Sequence, residues 1–165
     1  MAKVTLHGNV ASGTAGDLPK IGTAAGEFTL TAGDLSDKHL SDFGKKKKLL
    51  NIVPSLDTDV CAVSTRKFNE SAGSRENVEV LVISADLPFA QGRFCSVEGL
   101  KNVTALSTFR STFPDDYQLR ITEGPLKGLC SRAVIVLDEE NRVIYTEQVP
   151  EISQEPDYES ALKVL

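Results

Sequence analysis

Hydrophobic and polar residues alternate in the first third of the chain. In "KVTLHGNV" and in "EFTLTAGDL", apolar side chains occupy every second position over a few residues. A period of two is typical of short, half-buried strands. The pattern therefore predicts one or two β-hairpins here, with a turn at Gly8-Asn9 and a loose, glycine- and alanine-rich connection over residues 11–26.

The pattern changes in the middle of the chain. The apolar run "KKLLNIVP" predicts a buried strand that ends at Pro54, since proline cannot donate to a sheet. "DVCAVSTRKFNESA" places Val60, Val63 and Phe68 near one helical face, and Thr58 or Asp59 precedes it as a candidate N-cap. The β-branched run "NVEVLVISAD" predicts a strand that is covered on both sides. Strand, helix and strand in this order predict one right-handed parallel crossover.

The second half of the chain predicts further elements of both kinds. "LPFAQGRFCSVEGL" indicates a short helix or turn, "NVTALST" a weak strand and "RSTFPDDYQL" a broken helix. "LCSRAVIVLDEENRVIYTEQV" predicts an antiparallel hairpin with its turn at Glu140-Asn141. "DYESALKVL" predicts a final helix entered through Pro156 and Asp157.

The order of these elements favours an α/β fold with a central mixed sheet. A β-rich start, a parallel crossover, a hairpin and a closing helix match the thioredoxin-like layout, with an N-terminal β-hairpin added. The sequence contains no internal repeat and no stretch of linker composition. We therefore predict one domain that spans residues 1–165.

Composition limits the classes of partner and compartment. The 165 residues are 41% apolar and 25% charged, as in ordinary soluble proteins, and the net charge of −5 disfavours nucleic acid and anionic membranes. The run "KKKK" at 45–48 has no interleaved aromatic residue and is interpreted as a solvated turn. We expect a cytoplasmic protein, since no secretion signal is evident and no apolar run reaches the roughly 18 residues of a membrane helix.

The chain has three cysteines, Cys61, Cys95 and Cys130, which cannot all pair with one another. Static disulfides are rare in the cytoplasm, so each thiol is a core residue, a metal ligand or a redox group. A metal site is not expected, because no C-x-x-C or H-x-x-x-H spacing occurs and His7 lies far from His39. No phosphate-binding glycine motif occurs, so nucleotide binding has no support.

Cys61 falls in the first turn of the predicted helix. Free backbone N–H groups and the positive end of the helix dipole stabilise a thiolate at such a position. Pro54 fixes the preceding turn, and the Thr58 hydroxyl is close enough in sequence to bond the sulfur or a bound oxygen. Asp57 and Asp59 oppose a thiolate, so a cation is needed nearby. The alternative is that Cys61 is a small core residue.

These residues carry a resemblance to a known family. "PSLDTDVC" resembles the active-site motif of peroxiredoxins, and "PSLDTDVCAVSTRKFN" with "SADLPFAQGRFC" is similar to the bacterial thiol peroxidases, an atypical two-cysteine subfamily. The similarity continues through "EGLKNVTALSTFR", "GPLKGL", "SRAVIVLD" and "EPDYESALKVL", and so covers nearly the whole chain. Strings of this length are specific to the subfamily.

The resemblance implies roles for four residues, three of them near the predicted helix start and the fourth in "SRAVIVLD". Cys61 matches the peroxidatic cysteine, which attacks the O–O bond and becomes a sulfenic acid. Thr58 matches the residue that bonds the sulfur and the peroxide, and Pro54 the residue that shields the pocket from water. Arg132 matches the distal arginine, which would also supply the cation that the aspartates require. The alternative for Arg132 is a surface ion pair at a strand end.

The resemblance also implies how the cycle closes. Cys95 matches the resolving cysteine, which forms an intramolecular disulfide with Cys61 that a thioredoxin-type donor then reduces. Hydrogen peroxide and organic hydroperoxides are the implied substrates, a homodimer the implied assembly, and no metal, haem or flavin cofactor is required. The alternatives are a buried Cys95 without a redox role, a peroxide sensor that passes oxidation to a partner protein, and an interaction module with inert cysteines.

Two further residues receive structural expectations. Cys130 has no counterpart in the motif and is expected to pack in the core, with strand alternation placing it on the same sheet face as Arg132. The alternative for Cys130 is a reactive or regulatory thiol. Arg66 lies five residues after Cys61 on the predicted helix, and we expect it to form a surface salt bridge rather than to tune the charge of the pocket.

Overall fold

A computed structural model describes residues 3–6 and 9–165 of the chain. Its strands are β1 (Lys3–Leu6), β2 (Asn9–Gly13), β3 (Thr29–Thr31), β4 (Asp37–His39), β5 (Lys47–Ile52), β6 (Val78–Ser84), β7 (Thr104–Ser107), β8 (Ala133–Leu137) and β9 (Val143–Gln148). Its α-helices are α1 (Asp59–Ser71), α2 (Pro88–Glu98), α3 (Phe113–Asp116) and α4 (Tyr158–Leu162), and a short 3-10 helix spans Leu40–Phe43.

Seven strands form one mixed sheet in the order β4-β3-β7-β6-β5-β8-β9. β5 pairs parallel with β6, and β6 pairs parallel with β7. The other neighbouring strands of this sheet pair antiparallel. The prediction of a single parallel crossover is therefore wrong. The weak strand of "NVTALST" pairs parallel with β6, so that α2 completes a second crossover after the one made by α1.

The sheet has an apolar core on each face. One core packs α1 and α4 against alternate residues of β5, β6 and β8, with Phe68 and Val134 at its centre. The other covers the opposite face with Phe113 and Tyr117, whose rings lie 4.4 Å apart between centroids. Burial of both faces explains why β5, β6 and β8 are almost continuous apolar runs in the sequence.

The register of β5 places the two halves of the candidate site beside each other. Ile52, the last residue of β5, pairs with Ile83 of β6 and with Ala133 of β8. The chain that leaves β5 toward Pro54 therefore starts next to Arg132, which directly precedes β8. The Arg132 side chain lies on the face that α1 covers, since it contacts Cys61 of that helix.

The N-terminal hairpin lies outside the central sheet. β1 and β2 pair antiparallel as a separate two-stranded sheet, and β3 and β4 form the second predicted hairpin. The turn is predicted at Gly8-Asn9, and Gly8 lies outside the described residues. His7 lies outside them as well. Among the residues that the structure describes, no helix is both long and apolar enough to cross a membrane.

Candidate active site

Cys61 lies at the junction between β5 and α1. After β5 the Val53 N–H donates to the Ile83 carbonyl over 3.0 Å, Pro54 is buried, and the chain turns into the helix at Thr58, whose backbone is extended as in an N-cap. Cys61 is the third helical residue and its side chain is 0% exposed. The thiol is thus held at the positive end of a helix, away from bulk water.

Asp86 fixes the loop between Pro54 and α1. Its carboxylate accepts hydrogen bonds from the Ser55 hydroxyl, the Leu56 backbone N–H and the Ser84 hydroxyl, each over 2.7 Å. A carboxylate with three donors is a rigid anchor, because charged hydrogen bonds are stronger than neutral ones. Asp86 was not predicted as a site residue. The signal available in the sequence was an aspartate two residues after the end of the parallel strand β6, at the edge of the sheet where sites form.

Arg132 meets the sulfur of Cys61. The Arg132 Nη2 atom lies 3.1 Å from Cys61 Sγ, and its Nε donates to the Ile152 carbonyl over 2.7 Å. The residue is only 2% exposed, which contradicts the alternative of a surface ion pair. Its Nη1 has no hydrogen-bond partner within the described part of the chain. A donor of this kind is available to an oxygen atom bound beside the sulfur.

The surroundings of Cys61 strengthen this contact. Val53, Leu56 and Val82 form a small apolar cluster with Cys61, and Phe94 of α2 packs against it. Charge interactions are stronger where water is excluded. The buried Arg132 guanidinium donates to the Cys61 sulfur within this cluster, so its positive charge lies directly against the thiol group.

Asp57 and Asp59, which seemed to oppose a thiolate, are both exposed. Water and salt screen their charges, whereas the Arg132 contact is buried. The sequence suggested that a cation was needed to offset the aspartates. The structure places that cation, the Arg132 guanidinium, in direct contact with the sulfur.

A cleft of about 580 Å³ opens between the start of α1 and α2. Leu56, Thr58 and Ala62 line one wall, and Ala90, Phe94 and Val97 contribute apolar surface on the other. Acidic and basic side chains, Asp86 and Arg93 among them, complete the lining. In the part of the chain that the structure describes, no group of three or more His, Cys, Asp and Glu is placed to hold a metal ion.

The site thus combines a buried cysteine at a helix start with an arginine that contacts its sulfur. The family model described as Redoxin matches residues 20–162. The chain belongs to the redoxin family.

Curated relatives narrow the position of this redoxin within the family. A protein of Corynebacterium glutamicum named thiol peroxidase is 53% identical over 100% of this chain and 99% of its own length. A thiol peroxidase of Mycobacterium bovis is 51% identical with the same coverage. The crystal structure of a peroxiredoxin-like protein from Aquifex aeolicus is 40% identical and has a TM-score of 0.92, covering 99% of this chain and 95% of that one. The thioredoxin-like fold and the class, a thiol-dependent peroxidase, are confirmed.

The other two cysteines of this redoxin occupy contrasting places. Cys95 lies on α2 and is half-buried, and burial raises the pKa of its thiol. Cys130 is fully buried, and burial raises its pKa to about 12. All three thiols are free, so that no disulfide joins Cys61 to either of them in this structure.

Cys130 does not share a sheet face with Arg132, and that expectation is wrong. Cys130 packs in the core that contains Ala133 and Ile135, opposite the face covered by α1. Strand alternation starts only at Ala133, where β8 begins, whereas Cys130 forms an isolated bridge with Arg120. Cys130 therefore has the core position that was expected, but in the other layer.

Thr58 has a local partner in this structure. Its hydroxyl donates to the Ser55 carbonyl over 3.2 Å, while its own carbonyl accepts from the Ala62 N–H over 3.0 Å. Thr58 also lines the cleft, next to the helix turn that holds Cys61. A hydroxyl can rotate from one acceptor to another, so its role toward sulfur or peroxide stays a prediction.

Two interactions tie α2 to the rest of the site. Arg66 of α1 pairs with Glu98 of α2 over 2.8 Å, which confirms the surface salt bridge expected for Arg66. At the other end of α2, the buried Gln91 amide donates to the Ser84 hydroxyl and the Leu106 carbonyl over 3.0 and 2.9 Å. The start of α2 is thus bound to the sheet, and its end is held by an exposed ion pair.

Proposed function

We propose that this redoxin reduces hydroperoxides with Cys61 as the nucleophile. The observation that carries the proposal is the 3.1 Å contact between Arg132 Nη2 and Cys61 Sγ in a buried pocket, with Arg132 Nη1 left to donate to a further atom. The thiolate attacks one peroxide oxygen, the O–O bond breaks and Cys61 becomes a sulfenic acid. The leaving oxygen takes the bonding electron pair and then a proton, which yields water or an alcohol.

Arg132, Thr58 and Pro54 assist this step. Arg132 orients the peroxide and stabilises the negative charge that moves onto the leaving oxygen. The Thr58 hydroxyl turns from Ser55 to the sulfur and the peroxide when substrate binds. Pro54 is buried beside them and lacks an N–H, so it excludes water without adding a competing donor.

Cys95 resolves the sulfenic acid. Its thiol attacks the Cys61 sulfur, an S–S bond forms, and the sulfenic oxygen leaves as water. The two cysteines lie on different helices, and a bond of normal geometry requires that both helices loosen locally. The arrangement of α2 supports this motion, because Gln91 anchors its start while the exposed pair of Arg66 and Glu98 holds its end.

A thioredoxin-type protein then reduces the disulfide, and one domain of residues 1–165 carries the whole cycle. Sulfur performs the chemistry, so that no cofactor is required. The mixed polar and apolar cleft next to Thr58 supports both hydrogen peroxide and organic hydroperoxides as substrates. We place the protein in the cytoplasm as a homodimer, by similarity to the subfamily that the motif resembles.

The test is a coupled assay with thioredoxin, its reductase and NADPH, run with hydrogen peroxide and with cumene hydroperoxide. We expect NADPH oxidation by the wild type, loss of it in Cys61→Ser, and near wild-type rates in the control Cys130→Ser. Equal rates for wild type and Cys61→Ser would contradict the proposal. A single fast oxidation of Cys61 without recycling would instead favour the sensor that passes oxidation to a partner.

A further inference from the structure

The loop that follows β9 supports Arg132. Arg132 Nε donates to the carbonyl of Ile152 over 2.7 Å, and Ile152 lies between β9 and α4 with only 6% of its surface exposed. The guanidinium thus has two fixed contacts, the Ile152 carbonyl and the Cys61 sulfur. The position of one backbone carbonyl therefore sets the direction in which the free Nη1 points.

The first strand of the chain holds that loop. The Thr5 N–H donates to the Pro150 carbonyl over 2.8 Å, and the Ile152 N–H donates to the Thr5 carbonyl over 2.7 Å. The Thr5 hydroxyl also donates to the carboxylate of Glu151. Ile152, whose carbonyl accepts the hydrogen bond from Arg132, is thus held through its own N–H group by β1.

Val4 provides a second, apolar link to the same loop. Its side chain is 0% exposed and packs with Ile152 and Ile121 in a small cluster that is separate from the two main cores. This contact does not depend on the hydrogen bonds of Thr5. Two neighbouring residues of β1 therefore hold the same loop residue by different interactions.

The hairpin of β1 and β2 is an addition to the part that defines the family. The Redoxin model matches residues 20–162, so the hairpin precedes the matched region, and it does not join the seven-stranded sheet. An element that lies outside the matched region and outside the main sheet need not affect the chemistry of the site. Here its contacts converge on the residue that accepts a hydrogen bond from Arg132.

We propose that β1 is a positioning element for Arg132, in which Val4 and Thr5 fix Ile152 and the Ile152 carbonyl orients the guanidinium. The inference rests on the proposed function, from which it takes the role of Arg132. A side chain with several rotatable bonds keeps one geometry only if its surroundings hold it, and small displacements of a catalytic group reduce rates strongly. Val4 and Thr5 act through Arg132 and touch neither the sulfur nor the peroxide.

The test uses the full-length, reduced protein and three measurements. These are the second-order rate of Cys61 oxidation by hydrogen peroxide, the pH profile of Cys61 alkylation by iodoacetamide, and unfolding in urea. Val4→Ala removes the apolar link, Val4→Ile retains it, and Thr5→Pro removes the N–H that binds Pro150. The matched control is Val143→Ala, which removes the same atoms from a buried valine at the opposite end of β9.

We expect Val4→Ala and Thr5→Pro to slow Cys61 oxidation by about fivefold and to move the alkylation profile to higher pH. Val4→Ile and Val143→Ala should stay near the wild-type rate and profile. A variant that merely lowers stability does not change the pH profile of a thiol in the folded fraction. Should Val4→Ala fail to fold, Thr5→Pro carries the test with Val4 in place.

Wild-type rates and profiles in the folded β1 variants overturn the inference. An equal loss of rate in Val143→Ala also overturns it, because the effect would then follow from general loosening. Arg132→Ala in the same assay separates the two proposals. If that variant is oxidised at the wild-type rate, the proposed role of Arg132 fails; if it is slow and the β1 variants are not, only the role of β1 fails.

Discussion

Arg132 and Cys61 are 71 positions apart in the sequence, yet the guanidinium Nη2 lies 3.1 Å from the sulfur. The contact is formed by two buried side chains, and no ion pair found among the described residues gives Arg132 another anion. The pair therefore brings a thiol and a guanidinium together in one water-excluded place, as the proposed roles of nucleophile and charge-stabilising group require.

Replacing Arg132 tests this pair directly. We expect Arg132→Ala to slow the oxidation of Cys61 by more than tenfold, which corresponds to a barrier increase of about 1.4 kcal/mol or more. Arg132→Lys should recover only part of the rate, since lysine lacks the fork that reaches two acceptors. Stopped-flow measurement of a single turnover isolates the step. Arg120→Ala, which removes an exposed ion pair with Asp115, is the control, and an unchanged rate in Arg132→Ala would assign the arginine a structural role.

Peroxide should join Cys61 to Cys95 and leave Cys130 free. One equivalent of hydrogen peroxide, followed by alkylation and a peptide mass map, reveals the pairing. In Cys95→Ser we expect the sulfenic acid to persist and to proceed to a sulfinic acid with excess peroxide. The matched Cys130→Ser variant should form the disulfide like the wild type. A Cys61–Cys130 bond would disprove the assignment of the resolving cysteine.

The ion pair between Arg66 and Glu98 should slow the formation of the disulfide. Glu98→Gln removes the charge that ties the end of α2 to α1. Because exposed ion pairs contribute at most about 1 kcal/mol, we expect disulfide formation to be about two- to threefold faster in this variant. Glu79→Gln, which breaks the exposed pair with Lys46, is the control. The difference should shrink at high salt. A slower or unchanged rate at low salt contradicts the prediction.

Cys130 should make the protein less stable in alkaline solution. Its pKa is about 12 in the folded chain against 9.0 for an unperturbed thiol, because burial disfavours the thiolate. Above pH 9.0 the unfolded chain therefore loses this proton while the folded chain keeps it, and the free energy of unfolding falls as pH rises toward 12. The free energy of unfolding falls by about 1.4 kcal/mol for each pH unit in this range, which gives a loss of about 4 kcal/mol near pH 12.

Urea unfolding of Cys130→Ala at several pH values checks this contribution. At pH 7 the variant should be less stable than the wild type, because a core atom is lost. That gap should close as the pH rises above 9.0, where the wild type loses stability through its thiol. Val143→Ala removes atoms from the same core and has no proton to lose, so its gap should not depend on pH. A constant gap for Cys130→Ala would contradict the prediction.

Local patterns in the sequence predicted the elements around the site well. β5, α1 and β6 follow from apolar periodicity, and Pro54 and Thr58 mark the turn between them. The position of Cys61 in the first helical turn could therefore be read from the sequence. The parallel pairing of β7 could not, because its four residues carry too weak a pattern to reveal a partner strand.

Long-range contacts account for most of what the sequence did not reveal. The motif pointed to Arg132, but the Ile152 carbonyl is a backbone group and leaves no trace in residue type. The sheet face predicted for Cys130 was wrong because strand alternation does not extend to the residues before β8. Asp86 is an ordinary polar residue in sequence, and only the fold brings its three donors together.

The pairing of Ile52 with Ala133 has a consequence for how this activity is lost or altered. Side chains alternate between the two faces of a sheet, so a slip of β8 by a single residue against β5 would turn every side chain of β8 to the other face. Arg132 directly precedes β8 and would be displaced from its contact with Cys61. Cys61 would remain in its helix, and the order of the strands would be unchanged. Strand alignment is thus a determinant of chemistry in its own right, and substitutions in the buried centre of β8 can silence the protein without touching any reacting group.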